Sequence, residues 1–148
     1  MKRMTLIFMM VFAMAMGMHA GNDKPIRIEQ LPKVAKEFLD THFPNEKIVV
    51  IKQDKGFFDT DYEVLFSNGN EVKFDKRGEW EEVDCAHSEV PIVILPNEIK
   101  HYLSVNYPDR KVVQIEKKNK WNESYEIELD NTIEISFNKE FAVVDIDF

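Results

Sequence analysis

This chain of 148 residues repeats nearly all of itself, which leaves few folds open to it. Residues 43–51 read F-P-N-E-K-I-V-V-I, and residues 107–115 read Y-P-D-R-K-V-V-Q-I. The correspondence begins at Leu31 and Leu95 with an offset of 64, and after a deletion of one residue it continues at an offset of 63. A self-match of this length indicates a duplication, and two copies predict two similar halves rather than a solenoid.

Each half is predicted to open with a helix. Pro32 and Pro96 fall where the first helical turn would be, a position at which the missing N–H is tolerated. Pro44 and Pro108 end the helices, because the residue before a proline is pushed out of the α region. Apolar residues recur at helical spacing between these prolines: Ala35, Phe38, Leu39 and Phe43 in the first copy, and Ile99, Tyr102, Leu103 and Tyr107 in the second.

The rest of each half alternates between apolar and polar residues, as half-buried strands do. In the second copy Val113 and Ile115 alternate with polar neighbours, so we expect their counterparts Val49 and Ile51 to face the core. The same comparison predicts further inward residues: Tyr62, Val64, Phe66, Val72, Phe74, Val83 and Cys85, matched by Tyr125, Ile127, Leu129, Ile135, Phe137, Ile146 and Phe148.

These elements predict an α+β fold, a tandem duplication of a helix followed by four antiparallel strands. The halves are residues 21–85 and 90–148, and residues 86–89 form a short polar linker. Joined, they give about eight strands with both helices packed on one face of the sheet. The opposite face is then open to solvent, and we look there for function.

Residues 1–20 are predicted to be a cleaved signal peptide. Lys2 and Arg3 precede an apolar run from Thr5 to Met18, and cleavage is expected after Ala20. An uncleaved membrane anchor is the alternative reading. With cleavage, the sequence predicts a periplasmic protein without membrane insertion.

The chain without its predicted signal is strongly acidic. Removing residues 1–20, which hold two basic and no acidic residues, leaves 17 Lys and Arg against 27 Asp and Glu. Such a surface repels nucleic acid and anionic membranes. It attracts a basic protein patch, a cationic peptide or a metal cation, although excess charge can also serve solubility alone.

Several short motifs recur with the fold. Leu-Pro opens each helix, an aromatic residue and proline close it, and Tyr62-Glu63-Val64, Asn68-Gly69 and the F-D-K-R-G-E-W stretch of residues 74–80 follow. The chain resembles the PepSY-like, β-lactamase-inhibitor-like (BLIP-like) family of secreted Bacteroidetes proteins. The resemblance implies a tandem α+β scaffold in the periplasm and non-covalent binding. The second copy lacks the turn glycines, at Thr132 and within residues 138–141, so its hairpins are expected to differ in turn type.

No catalytic constellation is visible in the sequence. No serine lies in a nucleophile-elbow context, no glycine-rich phosphate loop exists, and no His or Cys sits at metal-ligand spacing. Cys85 is interpreted as a buried apolar residue. Residues 59–61 (D-T-D) are interpreted as a polar turn rather than a calcium loop. We therefore expect no enzymatic activity, no cofactor and no metal site.

Four aromatic residues are candidates for binding. Phe57 and Phe58 lie in the loop between the first two strands of the first half, and Trp121 lies in the matching loop of the second. Trp80 falls on the open face if the alternation set by Val83 continues. Such residues commonly anchor protein interfaces, although they can also fold back to cover the sheet.

These features together predict a secreted, non-enzymatic binding protein that recognises a protein or peptide through the open sheet face and the aromatic loops. A more specific version of this prediction is that the protein inhibits an envelope enzyme. The alternative is an envelope protein that binds a small ligand or a cation with its acidic surface. A monomer or weak dimer is expected.

Overall fold

The computed structural model describes residues 23–56 and 59–148; the predicted signal peptide, Phe57 and Phe58 lie outside this range. In the described part, each half contains one α-helix followed by four strands, and the first half also begins with one short strand. The first half contains β1 (Lys24–Pro25), α1 (Lys33–His42), β2 (Ile48–Lys55), β3 (Thr60–Phe66), β4 (Glu71–Phe74) and β5 (Trp80–Asp84). The second half contains α2 (Asn97–Asn106), β6 (Val112–Lys117), β7 (Tyr125–Leu129), β8 (Glu134–Phe137) and β9 (Val143–Asp147).

The strands form one antiparallel sheet in which every strand pairs with its neighbours in sequence, in the order β1 to β9. The halves meet at β5 and β6, where Val83 lies opposite Ile115. The predicted α+β duplication is therefore confirmed. β1 was not predicted, because its two exposed residues show no alternation of apolar and polar side chains.

Both helices pack on the same face of the sheet. One row of side chains crosses this face from β3 to β9: Val64, Val72, Val83, Ile115, Ile127, Ile135 and Ile146. Phe38 of α1 meets Phe74 edge-on at 5.6 Å, and Tyr102 of α2 meets Phe137 edge-on at 5.5 Å. The two halves therefore share a single continuous core.

Both helices begin one residue after their proline, at Lys33 and Asn97, so the prolines cap the helices rather than occupy the first turn. Their buried residues are Ala35 and Leu39 in α1, and Ile99 and Leu103 in α2. The helical spacing read from the sequence is thereby confirmed.

A β-bulge overturns the predicted orientation of Val49. Ile48 lies opposite Phe66 and Val50 opposite Leu65, so Val49 is an extra residue without a partner. Its side chain is 60% exposed, while Ile48 packs against the core instead. A bulge shifts the two-residue period by one, which reverses the faces on its N-terminal side.

The prediction for Cys85 is confirmed and that for its counterpart is wrong. Cys85 is 1% exposed, and burial raises the pKa of its thiol to about 12, which leaves it protonated and unreactive at neutral pH. Phe148 was expected to face inward, but its side chain is 82% exposed. The difference arises because β6 covers the end of β5, whereas no described strand covers β9.

The turns of the second half keep the backbone conformation of the first without its glycines. Gly69 and Gly78 have φ angles of +89° and +86°, and their counterparts Thr132 and Phe141 have φ angles of +68° and +58°. The expected change of turn type is therefore wrong. Asn138 helps to explain how this conformation is held, because its Oδ1 accepts hydrogen bonds from two backbone N–H groups across the turn that contains Phe141.

The open face as candidate functional site

The face of the sheet opposite the helices carries two rows of side chains, here called the open face. The first row runs from β2 to β9 through Val50, Leu65, Glu71, Asp84, Gln114, Glu128, Glu134 and Asp147. The second row runs through Lys52, Glu63, Lys73, Glu82, Glu116, Glu126, Ser136 and Asp145. The open face therefore combines a rigid antiparallel scaffold with mostly acidic side chains.

Two lysines neutralise the part of the open face that belongs to the first half. Lys52 Nζ lies 2.8 Å from Glu63 Oε1. Lys73 Nζ lies 2.6 Å from Glu82 Oε2 and 3.5 Å from Glu71 Oε1. Partial burial lowers the pKa of Lys73, but its carboxylate partners outweigh this and raise it above its ordinary value.

Among the described residues, a single lysine neutralises carboxylates in the second half of the open face. Lys118 Nζ, which reaches in from the end of the sheet, lies 2.5 Å from Glu116 Oε2 and 3.1 Å from Glu126 Oε1. Glu128 and Glu134 lie directly opposite each other on neighbouring strands, and Asp147 lies opposite Glu134. None of these three forms an ion pair within residues 23–56 and 59–148. Like charges in such positions repel each other.

Burial and this repulsion together raise the pKa values of Glu128 and Glu134. Burial, together with the charges of Glu134, Asp84 and Glu126, raises the pKa of Glu128. Burial, followed by the charges of Glu126 and Asp147, raises the pKa of Glu134. A cation bound beside these carboxylates would offset their mutual repulsion.

Gln114 is the one buried polar side chain at the centre of this face. It lies where the two halves meet, is 5% exposed, and donates from Nε2 to Glu82 Oε1 at 2.8 Å. This bond joins the β5 and β6 side chains across the junction, so the two halves of the open face form one surface.

The predicted binding aromatics do not lie together on this face. Trp80 was expected there, but a bulge at Glu81 places Trp80 opposite Phe74, and its ring stacks on Phe38 of α1. The placement on the open face is therefore wrong. Lys117 Nζ covers the same ring at 3.9 Å from its centroid, on the helix side of the sheet.

Trp121 is fully exposed, in the loop that joins β6 to β7. This loop follows the row of Glu116, at the same rim of the sheet as the loop that joins β2 to β3. Phe57 and Phe58, in the latter loop, lie outside the described residues. Trp121 therefore sits at the rim of the open face rather than on it.

A depression of about 210 Å³ lies below the β2–β3 loop, at the first-half end of the open face. Its lining includes Asp54, Asp61, Glu81 and Lys52. Burial, then the charges of Asp59 and Asp54, raises the pKa of Asp61. Across the described residues, however, no group of three or more His, Cys, Asp or Glu side chains is arranged to hold a metal ion.

The aromatic residues were predicted as binding residues from the sequence, whereas the acidic rows were not. The signal was present in the alternation of Glu126, Glu128 and their neighbours, but the rows appear only when the register between strands is known. Chemically, the arrangement offers carboxylates that accept hydrogen bonds and pair with cations.

The chain matches a family model described as "putative beta-lactamase-inhibitor-like, PepSY-like" over residues 18–64 and 60–145. No curated protein matches it. No helix in the described ranges has the length and apolar character needed to cross a membrane.

Three solved structures have a similar fold and related sequences. A "putative periplasmic protein" of the DUF2874 family from Bacteroides vulgatus is 44% identical, with a TM-score of 0.82 over 88% of this chain and 100% of that one. A "putative calcium-regulated periplasmic protein" from Bacteroides thetaiotaomicron is 44% identical, with a TM-score of 0.80 over 85% and 97%. A "putative periplasmic protein of unknown function" from Bacteroides vulgatus is 33% identical, with a TM-score of 0.78 over 85% and 99%.

Proposed function

Since this chain belongs to the PepSY-like, β-lactamase-inhibitor-like family, and its solved neighbours are described as periplasmic, we propose that it is a secreted, non-enzymatic binding protein of the periplasm. Its open face holds a cationic segment of a protein or peptide partner. Trp121 at the rim, with Phe57 and Phe58 in the matching loop, anchors that partner.

The observation that supports this proposal is the group of unpaired carboxylates in the second half of the open face. Glu128, Glu134 and Asp147 stand side by side on three neighbouring strands without an ion-pair partner among the described residues. Folding places these charges together at a cost in free energy, which a cationic ligand would offset. The family description names an inhibitor-like protein rather than an enzyme, which supports a binding role.

The test is capture of partners from periplasmic and outer-membrane extract by three immobilised forms of residues 21–148. The forms are the wild type, a face variant and a control with the same change in net charge. The face variant carries Glu126→Gln, Glu128→Gln and Glu134→Gln. The control carries Asp40→Asn and Glu98→Gln on the two helices and Asp109→Asn in the turn after α2.

We expect wild type and control to retain the same partner and the face variant to lose it. The affinity of the purified pair should fall about tenfold or more in the face variant, because three charges at the contact are removed. Equal capture by all three forms would refute binding through the open face. Loss of the partner in Trp121→Ala, with an unchanged melting temperature, would identify the rim anchor.

A second candidate is cation binding, which the relative described as calcium-regulated favours. The depression lined by Asp54, Asp61 and Glu81 is where a cation would meet most carboxylates outside the two rows. A melting curve with added calcium against one with chelator tests this function directly. An unchanged melting temperature would dispose of a calcium site that stabilises the fold.

A further inference from the structure

The outer edge of β9 corresponds in the repeat to the edge of β5 that pairs with β6. With the offset of 63, β9 (Val143–Asp147) corresponds to β5 (Trp80–Asp84). β5 pairs on both sides, with β4 and β6, whereas β9 pairs only with β8 among the strands of residues 23–56 and 59–148. The other end of the sheet is closed by β1, a strand of two residues that includes Pro25.

The pairing of β5 with β6 shows how a strand binds this type of edge. Val83 lies opposite Ile115, and Cys85 N–H donates to Val113 O at 2.7 Å. Antiparallel ladder bonds recur at every second residue, so Val83 also directs its N–H and C=O toward β6. Its counterpart Ile146 directs the same groups toward the outer edge of β9.

The apolar residues that β6 covers on β5 remain uncovered on β9. Val83 is 0% exposed and Cys85 is 1% exposed, whereas Ile146 is only partly buried and Phe148 is 82% exposed. Both pairs occupy equivalent positions in the repeat. The edge of β9 therefore presents unpaired backbone groups beside apolar surface, as edges that accept an added strand do.

The charges beside this edge define the chemistry of the added strand. Asp145 and Asp147 end the two rows of the open face, and neither forms an ion pair in the described part of the chain. Pairing of β9 with a second copy, centred on Ile146, would place Asp145 opposite Asp147 and oppose like charges. We propose that the edge of β9 binds, as a tenth strand, an extended segment of another protein with the pattern basic, apolar, basic.

This edge goes beyond the function proposed above, because the backbone of β9 holds the ligand rather than the side chains of the open face. The apolar residue of the added strand would occupy the place that Ile115 takes beside Val83. Its basic neighbours would occupy the places of Gln114 and Glu116, next to Asp147 and Asp145.

The probe is a blocked peptide of residues 111–118 of this chain with Gln114→Lys and Glu116→Lys. Its control is the same peptide with an N-methyl group on the nitrogen of Ile115, which removes the backbone donor that would face Ile146. Calorimetry gives the affinities, and amide hydrogen exchange reports on Ile146. We expect the N-methyl peptide to bind about tenfold more weakly or worse, and the parent peptide to protect the Ile146 amide.

Protein variants separate the edge from the open face. Asp145→Asn with Asp147→Asn should weaken the parent peptide about fivefold or more, while Asp40→Asn with Asp109→Asn should leave its affinity within about twofold. Equal binding of both peptides, or an unprotected Ile146 amide at saturation, would overturn the inference. A dimer in sedimentation that the peptide fails to dissociate would also overturn it, in favour of a second copy.

The outcomes for the two proposals are distinct. Binding that is lost in the face variant but insensitive to N-methylation would support the open face and refute the edge. Binding that is sensitive to N-methylation but unchanged in the face variant would support the edge and leave the open face without this class of ligand.

Discussion

The two halves of the molecule have the same backbone fold but carry different side chains on the open face. In the first half, the open face has four acidic residues, two lysines and two apolar residues. In the second half it has six acidic residues, one glutamine and one serine. Lys52 and Lys73 correspond to Glu116 and Ser136, so both cations of the first half are missing from the second.

The helix side changed far less than the open face. Phe74 and Phe137 are both fully buried, and each meets an aromatic residue of its helix edge-on. Core positions tolerate little change in volume, whereas solvated positions tolerate much. Packing constraints therefore keep the core residues of the two halves similar, whereas the charged residues of the open face differ between the halves.

The largest expected effect tests whether the two halves unfold as one unit. Phe74→Ala and Phe137→Ala should each lower the free energy of unfolding by about 3–5 kcal/mol, because each leaves a cavity in the shared core. Urea denaturation followed by tryptophan fluorescence and by circular dichroism should give one coincident transition for both variants. Separate transitions would show two independent cores.

A turn glycine in the first half is the next target. A Cβ on Gly78 would lie 2.8 Å from Pro32 Cβ and 2.9 Å from Ala35 N, at a φ of +86°. Gly78→Ala should therefore lower the free energy of unfolding by about 2–4 kcal/mol, through overpacking and backbone strain.

Gly69→Ala is the matched control. Its φ is +89°, but the nearest atom to an added Cβ is His87 Cδ2 at 3.9 Å. The strain alone should lower the free energy of unfolding by about 1–2 kcal/mol. Equal losses in the two variants, measured by urea denaturation, would mean that the contact between α1 and the β4–β5 turn has little energetic weight.

The opposite change in the second half should stabilise the protein. Thr132 is β-branched and has a φ of +68°, a conformation that glycine adopts without strain. Thr132→Gly should raise the free energy of unfolding by about 0.5–1 kcal/mol, the relief of strain minus the added entropy of the unfolded chain. Thermal melting beside Thr132→Ala, which keeps a Cβ, would check this; a gain shared by both would point to β-branching instead.

The smallest effect has opposite signs in the two halves. Glu134→Gln should raise the free energy of unfolding by about 0.5 kcal/mol at pH 7, because it removes repulsion from Glu128 and Asp147. Glu63→Gln should lower it slightly, because the ion pair with Lys52 at 2.8 Å is lost. Urea denaturation of both variants at low salt would measure this, and changes of the same sign would contradict the charge asymmetry.

The Glu134→Gln gain should depend on pH. The folded-state pKa of Glu134 is raised, so the folded protein binds the proton more tightly than the unfolded chain does. The destabilisation by wild-type Glu134 is complete above the raised pKa and fades as the pH falls through it. The advantage of the variant should therefore shrink between about pH 7 and about pH 4.

The sequence predicted the parts of the fold that repeat and alternate. Both helices, the strands and most of the core followed from comparing the two copies. The comparison misplaced Val49, because its counterpart Val113 is also a bulge residue. The bulges at Val49 and Glu81 could not be predicted, because a single unpaired residue leaves no trace in composition. Because of these bulges, the side chains of Val49 and Trp80 lie on the face opposite to the one predicted. Trp80 is therefore absent from the open face, where it was expected to bind a partner.

Only part of the acidic site could be predicted from the sequence. The net charge predicted an acidic surface, but the juxtaposition of Glu128, Glu134 and Asp147 depends on the register of three strands. Register is set by the hairpin turns, and the positive φ of Thr132 in one of them was not anticipated. The binding role of Phe57 and Phe58, by contrast, remains a prediction from the sequence alone.

The strict chain order of the sheet has a consequence for how the protein folds. Each strand from β2 onward pairs with the strand made just before it, and the sheet contains no crossover between distant strands. Short loops join β2 to β5 and β6 to β9, whereas residues 85–111, which include α2, join β5 to β6. Such mostly local pairing folds faster than a sheet of distant strands. A chain that emerges from its N-terminus can add β2 to β9 one at a time, so its growing edge is exposed only until the next strand pairs. That interval is longest at β5, because α2 precedes the next strand.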